Sequence, residues 1–234
     1  MKQTYYIILF SFVLTSNLFC IVENRGAAWR KKAFDYIYAN KHWAKEEGLP
    51  HSGPGSTLQA TTTLRAFLPV ILETISAKSM LDAGCGDFTW MQETVIDVEK
   101  YIGIDIVENL IQTNKRNYEN GKYTFLCKDV TKDPLPKVDV ILCRDCLAHL
   151  SLEDITETIK NFKKSGSKYL LTSTFPKVTI NYEIESGGFR GVNLRAYPFH
   201  FPVPIMLFKE ISAEANMLKW GKWIALWKLE DITI

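Results

Sequence analysis

Short apolar runs alternate with amphipathic stretches through the middle of the chain. The runs are bounded by turn or charged residues, as buried strands are: Met80–Ala83, Tyr101–Asp105, Phe125–Val130, Val138–Leu142 and Tyr169–Thr172. Between them, Val107–Tyr118 has helical spacing, and Ser151-Leu-Glu-Asp154 predicts a capping box at the start of another helix. Strands that alternate with helices predict an α/β fold with parallel strands.

Two more helices are expected before the first strand. Trp29–Ala44 predicts an amphipathic helix over the ligand site or on a membrane surface, and Leu64–Ile75 carries an apolar stripe that Pro69 bends or restarts. Gly48–Ser56, between them, is a turn-rich loop. After Pro176, residues 177–204 show little periodicity but many aromatic residues. A loop of that length is usually functional or disordered, and the aromatic residues favour function.

Ser79-Met-Leu-Asp-Ala-Gly-Cys-Gly-Asp87 is the motif around which we organise the rest of the chain. Gly84 and Gly86 allow a sharp turn after the first strand and a close approach of the backbone to a ligand. The spacing of Phe88, Trp90, Met91 and Val95 predicts that a helix follows. A strand, a Gly-x-Gly turn and a helix N-terminus would form a nucleotide cradle. By itself this motif is weak evidence for a nucleotide site, because ordinary tight turns contain it too.

Three acidic residues at strand ends narrow the choice of ligand. Asp105 closes the second strand, where a carboxylate can accept hydrogen bonds from both hydroxyls of a ribose. Thr89 stands where a dinucleotide-binding motif would have its third glycine, and Asp82 would repel a phosphate. Asp129, after the third run, could meet an adenine amino group. A ligand with adenine, ribose and a cationic amino-acid tail fits these acids, and S-adenosylmethionine is such a ligand.

At these residues the chain resembles the class I S-adenosylmethionine-dependent methyltransferases. The matching blocks are Leu81-Asp-Ala-Gly-Cys-Gly-Asp87, Gly103-Ile-Asp105, Lys128-Asp-Val130 and residues 139–150, which begin Asp-Val-Ile-Leu-Cys-Arg-Asp-Cys. The resemblance covers about residues 52–176, and is closest to a little-described group with Ser-Gly-x-Gly-Ser, Cys-Arg-Asp-Cys-Leu and Thr-Phe-Pro blocks. It implies a Rossmann-like doubly wound sheet that ends in an antiparallel hairpin, here Phe208–Ile211 and Trp223–Leu229.

The resemblance also implies a cofactor site, but it does not identify a substrate. We expect S-adenosylmethionine to contact Asp82, Gly84, Gly86, Asp87, Asp105, Ile106, Asp129, Val130 and Arg144. Arg144 is expected either to bind the cofactor carboxylate bidentately or to pair structurally with its neighbours. Residues 52–56 either contact the methionine tail or form a plain loop between helices.

Asp145 and His149 are the candidate catalytic residues. They follow the fourth strand, where the resembled family has its substrate-facing loop. Transfer to a hydroxyl or an ammonium needs a base, and His149 has the more suitable intrinsic pKa. The alternative role of His149 is to cap or orient the helix after Ser151. Arg190 and Tyr197 are candidate substrate-binding residues in the long loop, with Asn193, Arg195 and His200 as further candidates.

Composition excludes some classes of partner. A net charge of +2 over 234 residues gives no support for a nucleic-acid partner. Cys143-x-x-Cys146 has redox or metal spacing, but no second pair or histidine cluster completes a zinc site. We therefore expect no metal and interpret the cysteines as small buried thiols. The expected acceptor is a small molecule, a glycan or a lipid, and the sequence leaves the oligomeric state open.

The N-terminal segment has three competing interpretations: a membrane anchor, a cleaved signal peptide, and a poorly ordered or peripheral helix. Residues 3–22 contain no charge and are long enough for a membrane-spanning helix of roughly 30 Å. Arg25, Arg30, Lys31 and Lys32 follow the segment, which favours an uncleaved anchor with the catalytic domain in the cytoplasm. A cleaved signal peptide, which would leave a secreted or soluble protein, is the alternative.

The predicted organisation is therefore a hydrophobic segment, residues 1–25, followed by one methyltransferase domain, residues 26–234. Within the domain we expect cap helices over 26–78, the cofactor-binding core over 79–176, and the substrate loop and last hairpin over 177–234. A non-catalytic interaction module with the same fold is the alternative function, and the retained set of acids and glycines opposes it. The missing third glycine and Asp82 oppose a nicotinamide-dependent reductase.

Overall fold

A seven-stranded sheet with helices on both faces forms the centre of the protein. The computed structural model describes residues 26–210 and 221–234. Its helices are α1 (Gly26–Ala39), α2 (Thr62–Thr74), α3 (Glu108–Tyr118) and α4 (Leu152–Lys164), with short 3₁₀ turns at Pro54–Ser56 and Leu147–His149. Its strands are β1 (Ser79–Ala83), β2 (Lys100–Asp105), β3 (Tyr123–Cys127), β4 (Val140–Cys143), β5 (Tyr169–Thr174), β6 (Met206–Lys209) and β7 (Trp223–Lys228).

The strand order β3-β2-β1-β4-β5-β7-β6 places β1 at the centre, with β2 on one side and β4 on the other. β1 to β5 pair in parallel, whereas β7 is antiparallel to β5 and β6 is antiparallel to β7. This confirms the prediction of a doubly wound, mostly parallel sheet with an antiparallel C-terminal hairpin. Because the chain reverses direction of winding between β1 and β4, a crevice opens at their carboxyl ends.

Each face of the sheet carries its own apolar layer. Leu64, Leu68, Ile71 and Leu72 of α2 cover one face, together with Ile111 of α3. On the other face lie Ile155, Ile159 and Phe162 of α4, with Val192, Leu194, Phe199 and Phe201 from the long loop. Residues 177–204 are thus built into the core although they form no helix or strand. The loop is held by tertiary packing instead of by local periodicity.

The predicted helix after the Gly-x-Gly turn is wrong. Residues 89–93 form turns without a helix, and Phe88 has a left-handed backbone with φ 61°, which interrupts a right-handed helix. Its ring packs in the core against Tyr101, Tyr118 and Phe125 at centroid distances of 5.0–5.3 Å. The apolar spacing therefore reflects burial of Phe88, Trp90 and Met91 without helical structure.

The capping box of α4 forms only in part. Ser151 Oγ accepts a hydrogen bond from Asp154 N at 3.0 Å, as predicted. The Asp154 carboxylate does not return the bond to Ser151 N, which donates instead to Ser186 Oγ at 2.9 Å. Ser186 Oγ donates to Asp154 Oδ2, so the long loop takes the place of the reciprocal bond.

α1 is attached to the sheet by a buried arginine. Arg30 Nη1 lies 2.6 Å from Asp154 Oδ1, and Nη2 lies 2.7 Å from Asp129 Oδ2. The only other residue of α1 that is fully buried is Ile37. Tyr36 of the same helix is exposed, whereas Phe34 is partly buried against the core. Two ionic contacts of one arginine thus join this helix to the carboxylates of Asp129 and Asp154.

No helix within residues 26–210 and 221–234 combines the length and apolar character needed to cross a bilayer. Residues 3–22 lie outside the described residues, so the anchor and its alternative, a cleaved signal, both stay predictions.

Replacement of Arg30 by Ala is expected to lower the free energy of unfolding by about 3–5 kcal/mol, because it leaves two buried carboxylates unpaired. The check is urea denaturation followed by circular dichroism. Lys31→Ala is the matched control, since the neighbouring Lys31–Asp35 pair is solvent-exposed and should contribute about 0.3–0.5 kcal/mol. Equal losses in the two variants would show that α1 is held by something else.

Candidate active site

A pocket of about 370 Å³ opens at the carboxyl ends of β1, β2 and β4. α1 and the loop after it cover the pocket with Arg30, Phe34, Tyr38 and Trp43. Residues 52–56, the Gly-x-Gly turn and the start of the long loop at Phe189 complete its walls. The volume is within the usual range for a small-molecule or cofactor site. The predicted site and the pocket that the fold creates are therefore in the same place.

The Gly-x-Gly turn forms the floor of this pocket. Gly84 and Gly86 both adopt left-handed backbone angles, with φ 82° and 59°. A Cβ on Gly84 would lie 2.9 Å from the Cβ of Cys146, and one on Gly86 would collide with Ser52 Oγ. Both positions therefore require glycine for space as well as for conformation.

Asp105 connects this turn to the end of β2. Its Oδ2 accepts a hydrogen bond from Gly86 N at 3.2 Å, and its Oδ1 accepts one from Val107 N at 3.1 Å. Each oxygen keeps further lone-pair capacity for a ligand in the pocket. Burial raises the pKa of Asp105 to about 6, although the backbone donors oppose the shift.

Asp82 lies deeper, on β1. Its Oδ2 accepts a 2.7 Å hydrogen bond from the Tyr101 hydroxyl. Burial raises the pKa of Asp82 to about 7, and the nearby Asp105 adds to the shift. The floor of the pocket thus holds two acids with raised pKa values, and of these Asp82 is the closer to half-ionised at neutral pH.

Asp129 lines the pocket, but its carboxylate is already fully engaged. Arg30 Nε and Nη2 donate to Oδ2 at 3.3 and 2.7 Å, and the backbone N and the hydroxyl of Thr131 donate to Oδ1 at 3.0 and 2.8 Å. A carboxylate has about four acceptor positions, so none remains for an adenine amino group. The expected direct contact is thus corrected: the Asp129 side chain holds α1. By contrast, the N–H of the adjacent Val130 donates to no residue in the described part of the chain.

Asp87 is the second correction to the predicted cofactor set. It does not line the pocket; its Oδ2 accepts from Ser52 N at 3.1 Å, and its own N–H donates to Ser52 Oγ at 2.9 Å. These reciprocal bonds fasten residues 52–56 across the Gly-x-Gly turn. Ser52 Oγ also lies 3.0 Å from the Tyr38 hydroxyl, which connects the loop to α1.

A buried cluster of four charges closes the far side of the pocket. Arg144 donates to both oxygens of Glu210 at 2.9 and 3.1 Å, and Lys222 Nζ lies 2.7 Å from Glu210 Oε2 and 2.5 Å from Asp145 Oδ2. The Arg144 fork is thus occupied by Glu210, so the predicted bidentate contact with a cofactor carboxylate is replaced by the structural pairing. Sequence reasoning missed Glu210 and Lys222, because no spacing links them to the motif residues.

Asp145 is strongly ionised within this cluster. Burial alone would raise the pKa of Asp145, but the cations of Lys222 and Arg144 hold it well below its usual range. Its backbone is left-handed, with φ 56°, and its N–H donates to Ser173 Oγ at 2.8 Å. Its Oδ1 is buried and has no hydrogen-bond partner in the described part of the chain. The pocket wall therefore contains an unused anionic acceptor.

His149 lies in the same wall, between two aromatic rings. Its ring centroid is 4.5 Å from that of Trp43 and 5.1 Å from that of Phe189. Nδ1 lies 2.7 Å from the carbonyl oxygen of Gly188, which can only accept, so Nδ1 carries the hydrogen. Nε2 of the neutral ring is therefore the unprotonated nitrogen. Burial lowers the pKa of His149 below its ordinary value.

The two predicted substrate residues do not reach the pocket. The Arg190 side chain is fully buried beneath the wall, and Tyr197 is 76% exposed with its ring against His200. The aromatic residues that do line the pocket, Phe34, Tyr38, Trp43, Trp90 and Phe189, come from four separate segments. Of these, Trp43 was foreseeable, because it lies in the predicted cap segment. Within residues 26–210 and 221–234 no group of His, Cys, Asp and Glu could hold a metal ion.

Comparison with known proteins agrees with this geometry. Residues 80–165 match the family described as methyltransferase domain. Among solved structures, magnesium protoporphyrin IX methyltransferase from Synechocystis, with bound S-adenosylmethionine, is 15% identical over 84% of this chain and 95% of its own, with a TM-score of 0.56. No curated protein matches the sequence closely enough to count as a relative.

Two further structures share the fold. The N-methyltransferase NodS from Bradyrhizobium japonicum, in complex with S-adenosylhomocysteine, is 11% identical over 85% of this chain and 97% of its own, with a TM-score of 0.60. The 1,6-didemethyltoxoflavin-N1-methyltransferase from Burkholderia thailandensis is 15% identical over 86% and 87%, with a TM-score of 0.56. The chain thus shares the fold of solved S-adenosylmethionine-dependent methyltransferases, and residues 80–165 are similar to a methyltransferase domain.

S-adenosylmethionine affinity should fall as the pH drops from 8 to 5.5. The carboxyls of Asp82 and Asp105 have pKa values of about 7 and 6, so lower pH protonates them and removes the negative charge that faces a cationic ligand. Binding near pH 7 should therefore release protons, which calorimetry in buffers of different ionisation enthalpy measures.

Asp82→Asn should abolish most of this proton release, whereas Asp35→Asn, which removes a partly exposed carboxylate of α1, should preserve it. A flat affinity profile and no proton release in the parent protein would contradict the assignment.

Proposed function

We propose that this enzyme transfers the methyl group of S-adenosylmethionine to an oxygen or nitrogen of a small-molecule, glycan or lipid-linked acceptor, with His149 as the general base. The observation that carries the proposal is the neutral imidazole of His149, fixed in the pocket wall with Nε2 unprotonated. It stands across the pocket from the acids on which the cofactor is expected to bind.

The residues of the pocket floor fit the cofactor. S-adenosylmethionine supplies an electrophilic methyl group, so the protein's main task is to align the acceptor with it. Asp105 would accept from the ribose hydroxyls, and the unpaired N–H of Val130 would donate to the adenine ring. Ile106 lines the same part of the pocket as an apolar contact. Ser52–Ser56 would lie along the methionine tail, with Gly86 giving the room.

His149 is better suited than Asp145 to remove a proton. A base works best when its pKa is near the working pH, and the Lys222 and Arg144 cations hold the pKa of Asp145 far below that range. His149 stays neutral at pH 7, because burial lowers its pKa. The alternative role, capping or orienting the following helix, has no such support, since Nδ1 is bonded to the long loop and not to α4.

Asp145 would orient the acceptor. A buried carboxylate oxygen without a partner is costly, so a bound ligand that donates to Oδ1 would recover that cost. The donor would be the hydroxyl or amine that is to be methylated, or a group beside it. This places the nucleophile between an anionic acceptor, which holds it, and a neutral imidazole, which takes its proton.

A small acceptor suits the enclosure of the site. α1 and the loop at Phe189 close over a volume of about 370 Å³, most of which the cofactor would occupy. Two of the structural neighbours act on a magnesium porphyrin and a didemethyltoxoflavin, according to their descriptions. A low net charge on the whole chain also gives no attraction to nucleic acid.

Asp105→Ala should weaken S-adenosylhomocysteine binding by about 2–4 kcal/mol, or ~30-fold or more, because it removes two hydrogen bonds to a charged acceptor. Isothermal titration calorimetry measures the change. Glu108→Ala removes an exposed acid three residues further on and should leave the affinity as it was. Equal affinities in the parent and Asp105→Ala would overturn the placement of the ribose.

His149→Ala should lower the rate of methyl transfer by about 10²–10⁴, the usual contribution of a positioned base, while S-adenosylhomocysteine still binds. The assay measures transfer of a radioactive methyl group from S-adenosylmethionine to acceptors in a cell extract. Partition of the labelled products between an aqueous and a lipid phase then distinguishes water-soluble acceptors from lipid-linked ones. In the parent enzyme the rate should be constant above pH 7 and fall below about 6.5, since protonation removes the base.

His200→Ala is the matched control, because this histidine is exposed and does not line the pocket. A stable His149→Ala variant with near-normal turnover would exclude the base. Asp145 would then be the remaining candidate, or the nucleophile would arrive deprotonated.

A further inference from the structure

Arg190 is a fully buried cation without a carboxylate partner. Arg190 has 0% exposure, and it forms no ion pair with the acids among the described residues, although the carboxylate of Glu183 favours its charge at longer range. Nε donates to Tyr182 O at 2.9 Å and Nη1 donates to Ala148 O at 3.2 Å, while Nη2 has no partner. Burying a charge that only carbonyl groups compensate is costly. We therefore expect the buried guanidinium of Arg190 to have a role in the site that offsets this cost.

One of the two carbonyl groups that the Arg190 side chain holds, Ala148 O, directly precedes His149, and the other, Tyr182 O, lies earlier in the long loop. The Arg190 backbone N–H donates to the same Ala148 oxygen at 3.1 Å, and Gly187 N donates to His149 O at 2.8 Å. Between these two bonds, Gly188 O accepts from His149 Nδ1. The side chain of Arg190 therefore joins residues 187–190 to residues 148 and 149 along the edge that determines the imidazole tautomer.

The charges around His149 have opposite effects on its pKa. Burial is the main influence that lowers its pKa, and the cations of Arg190 and Lys222 lower it further. The carboxylate of Asp145 and the hydrogen bond to Gly188 raise it. From α1 and its following loop, only the uncharged Trp43 ring faces the imidazole. Asp145 is itself neutralised by Lys222 and Arg144, so Arg190 is the cation on this side whose charge no ion pair offsets.

We propose that Arg190 is a positioning residue for His149: by binding Ala148 O and Tyr182 O, its guanidinium holds in place the loop whose Gly188 carbonyl determines the imidazole tautomer, and its charge opposes protonation of the ring. The inference rests on the proposed role of His149 as a base and explains how Nε2 stays available. The sequence suggested Arg190 as a substrate contact. The proposal gives it a structural role instead, since its buried side chain does not line the pocket.

The first test is nuclear magnetic resonance of the full-length protein labelled with ¹⁵N-histidine, in detergent micelles. His149→Gln identifies the His149 signals among those of the four histidines. We expect the tautomer with hydrogen on Nδ1 and a pKa below 6.5. Hydrogen on Nε2, or a pKa at or above 6.5, would overturn the proposal without any variant of Arg190.

The second test compares variants. Arg190→Met should raise the pKa of His149 and populate both tautomers, because it removes a cation that disfavours the imidazolium. Arg190→Lys keeps the charge but cannot reach both carbonyls, so the pKa should stay low while the tautomers mix. Arg195→Met is the matched control, since Arg195 is an exposed arginine of the same loop, and it should change neither property.

A folded Arg190→Met protein with unchanged His149 signals would overturn the inference. If that variant does not fold, the Lys variant decides: a normal pKa there would show that the charge has no effect. Neither measurement needs an acceptor, so a failure of methyl transfer in the His149→Ala assay would contradict the proposed function without affecting this result.

Discussion

Four carboxylates stand at or just beyond the carboxyl ends of four neighbouring strands, and the rest of the site is arranged to compensate them. Asp82, Asp105, Asp129 and Asp145 belong to β1, β2, β3 and β4 or the residues directly after them. All four line one pocket. Parallel strands bring their ends together at one edge of the sheet, so the acids are close whether or not a ligand is present. Each must be paired or hydrogen bonded, because an uncompensated buried carboxylate is very costly.

The four acids have different kinds of partner, neutral donors for some and cations for others. The two sides of the pocket therefore differ in charge. Neutral donors serve two of them: the Tyr101 hydroxyl for Asp82 and backbone N–H groups for Asp105. Burial then raises the pKa of both. Asp145 is served by the cations Lys222 and Arg144, which lower its pKa. One side of the pocket thus favours a cationic ligand, and the other contains an acid that is always ionised.

Compensation also explains why distant segments come to the site. Arg30 of α1 reaches Asp129 and Asp154, so the cap is fastened by the charges that it covers. Lys222, from the start of the last hairpin segment, reaches Asp145 and Glu210. Ser186 of the long loop donates to Asp154. The cap, the hairpin and the loop have no shared sequence signal, yet each supplies a partner for a carboxylate of the parallel core.

The site therefore works as a set of fixed charges around one neutral imidazole. His149 has no ion-pair partner; its hydrogen bond is to a backbone carbonyl and its neighbours are aromatic rings. An aromatic environment disfavours the imidazolium without taking the Nε2 lone pair. Burial therefore lowers the pKa of His149, while the carboxylate of Asp145 and the hydrogen bond to Gly188 act against that shift.

The sequence by itself determined the fold class and the place of the pocket. Those features follow from local patterns: apolar runs that only strands can bury, the Gly84 and Gly86 turn, and acids at strand ends. It misjudged the segment after Gly86, because apolar spacing reports burial and Phe88 is buried in a left-handed turn. Only the tertiary structure decided which acids remain available to a ligand. Asp129 and Asp87 are occupied by Arg30 and Ser52, and Arg144 by Glu210, through contacts between residues far apart in the chain. Such contacts produce no periodic pattern in the sequence, because two side chains that meet across a pocket can be any number of residues apart in the chain.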